Sequence, residues 1–306
     1  MKVLSLFCGC GGLDFGFHEH PSFSVLKSYD KNANAVHVYN LNYPGTAEVL
    51  NVPDIILPEF SLHFKPNIII GGPPCQEFSA ARGKHKTPGE RANMSTVFRN
   101  AVLRYMPEFF VMENVPQMLT TRGGKDIHEA NVQAFREGGY GLTVLKVKMS
   151  EYNVPQTRQR LIIIGRHGGS DNEFVEEMER EKAPVISMQD YMQKNDRIID
   201  FKGKKYAYIR RPFHKDCNNV FCAEDLCPTV TTVHSPLSHL HSKDKCQDKN
   251  LILEDPQSAF FAAIQTFPPS FDFGDLHEFS KMKLIGNAVP PAFSTILARV
   301  IADFKN

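Results

Sequence analysis

Pro66-Asn67-Ile68-Ile69-Ile70-Gly71-Gly72-Pro73-Pro74-Cys75-Gln76 passes from a β-branched run straight into a rigid turn that ends on a cysteine. The isoleucines read as a buried strand. Two glycines allow a sharp turn and a close approach of ligand to backbone, and two prolines then fix φ. A thiol held at the carboxyl end of a central strand sits where open α/β sheets keep their sites. An inert buried cysteine beside an ordinary loop is the competing reading of this segment alone.

On either side of this stretch, strand and helix signals alternate at the spacing of βαβ units. Strands are expected at Val3–Phe7, Ser24–Tyr29, Ile68–Gly71, Phe109–Glu113, Thr143–Met149 and Leu161–Gly165. Helices are expected at Leu13–His18, Asn32–Leu41, Thr96–Tyr105, His128–Glu137 and Pro291–Phe304. Apolar strands such as Phe109-Phe110-Val111-Met112 suit a parallel sheet covered on both faces. The fold class is therefore α/β, a doubly wound sheet. Character changes after Gly165, where periodicity fades and a basic run (Lys202, Lys204, Lys205, Arg210, Arg211) appears. The expected organisation is a large domain over residues 1–166, a small inserted domain over 167–257, and a returning segment over 258–306.

The hydrophobic fraction of 42% and charged fraction of 23% are those of a soluble globular chain. The N-terminus lacks a signal-peptide pattern, and no apolar run is expected to reach the length a bilayer demands. Seven cysteines, an odd number, argue for reduced thiols and an intracellular location. The net charge of +1 does not advertise a nucleic-acid partner, and a basic stretch is by itself more often a solvated face.

Three further stretches carry chemistry. Phe7-Cys8-Gly9-Cys10-Gly11-Gly12 closes the first strand, and its glycines admit a cofactor beside the backbone, though not at the dinucleotide spacing. Glu113-Asn114-Val115 ends a buried strand near the one that leads to Cys75, where a carboxylate can act as an acid or cap a helix. Gln156-Thr157-Arg158-Gln159-Arg160 enters a strand with both guanidiniums on one face, able to hold an anion or a carbonyl-bearing ring.

Taken in order with Ile285-Gly286-Asn287-Ala288-Val289-Pro290, these motifs closely resemble the DNA (cytosine-5) methyltransferases that use S-adenosylmethionine. The resemblance spans most of residues 1–166 and 258–306. It implies a Rossmann-like methyltransferase sheet with a target-recognition domain inserted at 167–257. It further implies attack by Cys75 on cytosine C6, with Glu113 bonding the base, Arg160 contacting its O2, and Arg158 in support. The cofactor contacts it implies are Phe7, Gly9, Gly11, Gly12, Tyr29, Asp30, Asn51, Pro73, Asn287 and Ala288. The partner is double-stranded DNA, bound by a monomer that flips its target base, in the manner of restriction–modification enzymes. The basic stretch Arg82–Arg91 matches the loop that closes over DNA in that family.

Several positions depart from the pattern. Ser28 stands where the family places an acid for the cofactor ribose, with Asp30 as a substitute, and Asn51 replaces a second acid. Ala259-Phe260-Phe261-Ala262-Ala263 replaces a charged lead-in to Gln265-Thr266-Phe267-Pro268. An RNA-directed enzyme and a non-catalytic nucleic-acid-binding relic are the alternatives, although the Cys-Phe-Thr signature of the tRNA branch is missing. His214, Cys217, Cys222, Cys227, His234, His239, His241 and Cys246 crowd the inserted domain without paired zinc-knuckle spacing, so no metal is expected.

Overall fold

The computed structural model describes residues 1–74, 93–195, 225–232 and 258–304, together with the backbone of 206–208, 220–222 and 252–253. The strands are β1 (Lys2–Leu6), β2 (Ser24–Asp30), β3 (Ala47–Val49), β4 (Ile68–Gly71), β5 (Phe109–Asn114), β6 (Tyr140–Lys148) and β7 (Gln159–His167). They form one seven-stranded sheet in the order β3-β2-β1-β4-β5-β7-β6. A second sheet holds three short strands, β8 (Tyr206–Tyr208), β9 (Val220–Cys222) and β10 (Ile252–Leu253), in the order β10-β8-β9.

The helices are α1 (Phe15–Glu19), α2 (Ala33–Asn42), α3 (Met94–Tyr105), α4 (Arg122–Glu137), α5 (Val175–Arg180), α6 (Met188–Lys194), α7 (Ser258–Ile264), α8 (Glu278–Asn287) and α9 (Pro291–Asp303). The chain forms two compact units. One comprises Met1–Val147, Gln159–Glu181 and Ser294–Asn306; the other comprises Lys148–Arg158 and Lys182–Phe293.

β1 pairs in parallel with β2 and β4, and β4 with β5. The sheet is not wholly parallel, because β7 runs against β5. Residues 149–158 are fewer than a parallel crossover requires, so the chain turns back after β6. Every residue of β4 and of β5 is buried, as their unbroken apolar runs imply. Leu4, Leu6, Ile69, Phe98, Phe110, Met112, Leu161 and Ile163 share one core, each worth roughly 1.5–3 kcal/mol of burial. That core fixes a single sheet edge on which β1, β2, β4 and β5 all end. β7 begins there too, since Leu161 pairs with Asn114.

Helix α9 is locked to α1 by Ser294, whose Oγ accepts the Gly16 N–H at 2.9 Å and donates to the Leu13 carbonyl. A side chain at Gly16 would sit 2.3 Å from the Ser294 backbone, so only glycine permits that contact. The run Glu278–Asp303 has the length and apolarity of a membrane span, which corrects the expectation from sequence. Its most apolar 18 residues are nevertheless 72% buried inside the protein, and the run breaks between α8 and α9 at Ala288–Pro290.

Candidate active site

The turn after β4 is held by its neighbours. A Cβ on Gly71 would lie 2.3 Å from the Leu6 carbonyl oxygen, so the close approach of β1 dictates glycine. A Cβ on Gly72 would lie 3.1 Å from Glu113 Oε2, which shows the carboxylate resting against the turn. Asn114 donates from Nδ2 to the Pro73 carbonyl at 3.3 Å and to Ser95 Oγ at 3.1 Å, and its Oδ1 accepts the Val115 N–H. One buried amide thus ties the Gly-Gly-Pro turn to the end of β5 and the start of α3. Cys75 and the Arg82–Arg91 stretch lie outside the described residues.

Glu113 is paired. Arg160 Nε lies 2.7 Å from Glu113 Oε1, with only 14% and 11% of the two side chains exposed. The Arg160 Nη1 also donates to the Gln159 carbonyl at 2.7 Å, which fixes the plane of the fork. An ion pair this sheltered is screened little by salt and holds the carboxylate in a fixed orientation. The arrangement can present a fixed carboxylate and guanidinium to a planar polar ring beside the Pro73 turn.

The glycine turn after β1 is strained and open. Phe7 has φ 56°, an uncommon value for a non-glycine residue, and Gly9 and Gly11 also have positive φ. No atom lies within 4 Å of a Cβ built on Gly9, so that backbone is accessible to a ligand. Gly11 is seated on Tyr39, whose ring lies 3.1 Å from the corresponding point. Asp30 Oδ2 accepts the Gly9 N–H at 3.0 Å, and Oδ1 accepts the Asn32 N–H at 2.8 Å. The acid at the end of β2 is therefore Asp30.

Ser28 is fully buried and donates to Asp14 Oδ1 at 3.0 Å, so it does not occupy the ligand-facing place expected of it. Tyr39 donates to the same Asp14 oxygen at 2.8 Å and lies 2.8 Å from His18 Nε2. Burial above all pushes the Asp14 carboxyl up to about 6 and the His18 imidazole down to about 4. With Ser28 and Tyr39 both donating to Asp14, neutral His18 completes the set as an Nε2–H donor to the Tyr39 oxygen. Burial likewise raises the Cys8 and Cys10 thiols, Cys10 to about 12, which makes them packing groups rather than nucleophiles.

Tyr29 is largely buried, with Phe60 edge-on at 5.9 Å between ring centroids. Asn51 caps a 3-10 turn over Val52–Ile56 and donates from Nδ2 to Asp54 Oδ1 at 2.9 Å, a bond that does not engage its amide oxygen. An open Gly9 backbone, a strained turn, the Asp30 carboxylate and an available amide acceptor suit a polar, ribose-bearing cofactor. Gly12, for its part, is buried beneath the turn.

In the second unit, Arg158 does something the sequence did not suggest. It is fully buried, and Nη1 donates to the carbonyls of Val230 (3.2 Å) and Gly286 (3.1 Å) while Nη2 donates to that of Ala288 (2.9 Å). Its guanidinium is committed to backbone, whereas the guanidinium of Arg160 faces Glu113. Gln156 accepts the Val230 N–H and donates to Gln265 Oε1 at 2.6 Å, and Gln265 donates to the Ala288 carbonyl at 2.6 Å. Charge-assisted bonds of the Arg158 kind contribute roughly 1.5–3 kcal/mol each. Asn287 ends α8 with its side chain exposed, between two carbonyls that Arg158 holds.

Sequence reasoning assigned no role to Asn114, Asp14, Gln156 or Gln265. Asn114 was within reach, because a polar residue directly after a buried acid at a strand end needs partners. Among the described residues, no group of three or more His, Cys, Asp or Glu side chains could hold a metal ion. Of the inserted domain's His and Cys residues named above, only Cys227 is described with its side chain, buried and reduced.

Comparison with known proteins adds an independent line. The family model for C-5 cytosine-specific DNA methylases matches residues 1–249. The Type II methyltransferase M.HindV of Haemophilus influenzae is 31% identical over 100% of this chain and 97% of its own length. The Type II methyltransferase M.HgiDI of Herpetosiphon aurantiacus is 30% identical over 100% and 96%. Among solved structures, the S. pombe Dnmt2 methyltransferase superposes with a TM-score of 0.69 at 17% identity, covering 100% of this chain and 99% of its own. A putative DNA modification methyltransferase from an E. coli prophage gives 0.69 at 20% identity, with the same coverage. At those identities the structures speak to the fold, which is the α/β methyltransferase fold.

Proposed function

Because the chain belongs to the C-5 cytosine-specific DNA methylase family, we propose that it moves a methyl group from S-adenosylmethionine to C5 of a flipped-out cytosine through a covalent adduct on Cys75. That it is a DNA cytosine-5 methyltransferase follows from the family and from its Type II relatives. The observation that best supports the finer reading is the Arg160–Glu113 pair resting against Gly72, directly before Pro73, Pro74 and the cysteine.

Cytosine C5 is too weak a nucleophile to attack a sulfonium methyl unaided. In the proposed route the Cys75 thiolate adds to C6, forming an S–C6 bond and moving the C5–C6 π pair onto C5. Glu113 bonds N3 and the exocyclic amino group, stabilising the electron-rich ring. Arg160 holds Glu113 in place and contacts the base O2. The carbanion-like C5 would then take the methyl group as its bond to the sulfonium sulfur breaks, the sulfur keeping the electron pair and leaving as a neutral thioether. A base removes the C5 proton, and the returning electron pair expels the Cys75 sulfur and restores the aromatic ring. Asn114 keeps the Pro73 carbonyl, and with it the cysteine turn, in register with Glu113.

Bound S-adenosylmethionine supplies an electrophilic methyl on a positively charged sulfur. Phe7, Gly9, Gly11 and Gly12 would receive it along the backbone, with Asp30 on the ribose, Tyr29 beside the adenine and Asn51 accepting from the adenine amino group. Pro73 and, in the second unit, Asn287 and Ala288 are assigned to the same ligand. We assign residues 1–166 and 258–306 to catalysis and 167–257 to target recognition. The partner is double-stranded DNA, which must surrender the base from its stack. We take it to be a monomeric intracellular enzyme of the restriction–modification kind. The RNA and relic readings gain nothing from these comparisons. Transfer of labelled methyl to a mixed-sequence duplex tests the proposal directly, and transfer to RNA alone would redirect it.

A further inference from the structure

We propose that Arg158 is a positioning residue that couples Val230, in the target-recognition segment, to the loop carrying Asn287. The inference rests on the assignments of Asn287 to the methyl donor and of residues 167–257 to recognition, and it concerns a role beyond both.

The geometry is a closed circuit of buried groups. One Arg158 nitrogen bridges the carbonyls of Val230 and Gly286, and the other holds that of Ala288. The two residues flanking Asn287 are thus bound by one guanidinium, which also binds the carbonyl of Val230. Gln156 holds the N–H of the same Val230 and passes through Gln265 to the same Ala288 oxygen. Both backbone polar groups of Val230 are therefore tied, by two side chains, to one loop. Gly286 adds a steric lock, since a Cβ there would lie 2.5 Å from the Thr231 backbone. Arg158, Gln156 and Gln265 are each fully buried, and of the carbonyls they hold only that of Ala288 is partly open.

A guanidinium has a rigid planar fork and cannot shed its charge. If DNA binding shifts Val230, the fork must either carry Gly286 and Ala288 with it or leave a buried donor unpaired. Any displacement of Val230 is therefore transmitted to the backbone on both sides of Asn287. Thermodynamic linkage makes the effect mutual: DNA tightens the donor by the factor by which the donor tightens DNA.

The test measures binding of S-adenosylmethionine by calorimetry, with and without a duplex carrying the mapped target, in wild type, Arg158→Lys and Gln265→Met. Lysine keeps the charge but loses the fork, and methionine keeps the volume but loses the Ala288 bond. We expect the duplex to tighten donor binding about 5-fold or more in wild type. The factor should fall towards one in both variants, with donor-free DNA affinity within about twofold of wild type. Melting temperatures establish that each variant is folded. If Arg158→Lys does not fold, Gln265→Met alone decides. A coupling factor unchanged in the folded variants, or absent in wild type that binds both ligands, would overturn the proposal. Wild type that binds no S-adenosylmethionine would overturn the donor assignment, and the coupling with it.

Discussion

Arg160 Nε stands 2.7 Å from Glu113 Oε1, across the junction where β5 ends and β7 begins. The pair is sheltered, and removing either member leaves its partner desolvated and unmatched. Glu113→Gln is therefore expected to lower kcat by about 10²–10⁴-fold, the range over which a positioned acid acts. Arg160→Met is expected to cost activity and also melting temperature, because it strands the carboxylate. Steady-state kinetics with a donor-binding control separates the two effects.

Gly71 and Gly72 should respond differently to alanine. At Gly71 the new methyl meets the Leu6 backbone at 2.3 Å and the Phe98 ring, so Gly71→Ala should fail to fold or melt far below wild type. At Gly72 the methyl meets only Glu113 Oε2, at 3.1 Å. Gly72→Ala should therefore fold, bind the donor, and lose most of its turnover. Calorimetric melting and methyl transfer on the two purified variants check the contrast.

Asp14 gives a pH prediction with a definite sign. Its carboxyl is raised from 3.8 to about 6, chiefly by burial, so the folded protein holds a proton that the unfolded chain releases. That contribution to stability is complete below pH 3.8 and is lost as pH rises through about 6. Above that point the ionised, buried group costs about 3 kcal/mol. Asp14→Asn keeps an acceptor for Ser28 and Tyr39 and removes the charge. It should be more stable than wild type at pH 8, with the advantage vanishing by pH 4. Denaturant melts across that range measure the slope, and an unchanged pH profile would refute the assignment.

Asn114→Ala should release the Pro73 carbonyl without touching the donor turn. The expected signature is a fall in kcat with S-adenosylmethionine affinity held within about twofold of wild type. The removed hydrogen bonds are worth about 1 kcal/mol each to stability. Equal losses in donor affinity and turnover would point to general unfolding instead.

The sheet was legible because its strands are buried on both faces, which writes them as runs such as Ile68-Ile69-Ile70 and Phe109-Phe110-Val111-Met112. β3 was not, since Ala47-Glu48-Val49 is too short for any period to register. Helix α4 begins at Arg122 rather than at the expected His128, and its first turn holds Gly123 and Gly124. A side chain at Gly124 would meet the Thr121 hydroxyl at 2.6 Å, so glycine there serves close packing at a helix start. Glu113 and Arg160 stand at strand ends, where the sequence placed them, and there they pair. Ser28 misled because it stands inside β2, where it is buried on Asp14, whereas Asp30, two residues on and on the same face, ends the strand and reaches the Gly9 N–H. Arg158 misled because nothing in Gln-x-Arg-x-Arg tells a guanidinium aimed at a ligand from one spent on three distant carbonyls.

The central claim is tested most directly by incubating wild type and Cys75→Ala with S-adenosylmethionine and a mixed-sequence duplex, then mapping 5-methylcytosine at base resolution. The account predicts modified cytosines in one recurring sequence context with wild type and none with Cys75→Ala; no modified cytosine with wild type, or undiminished methylation without the thiol, would contradict it.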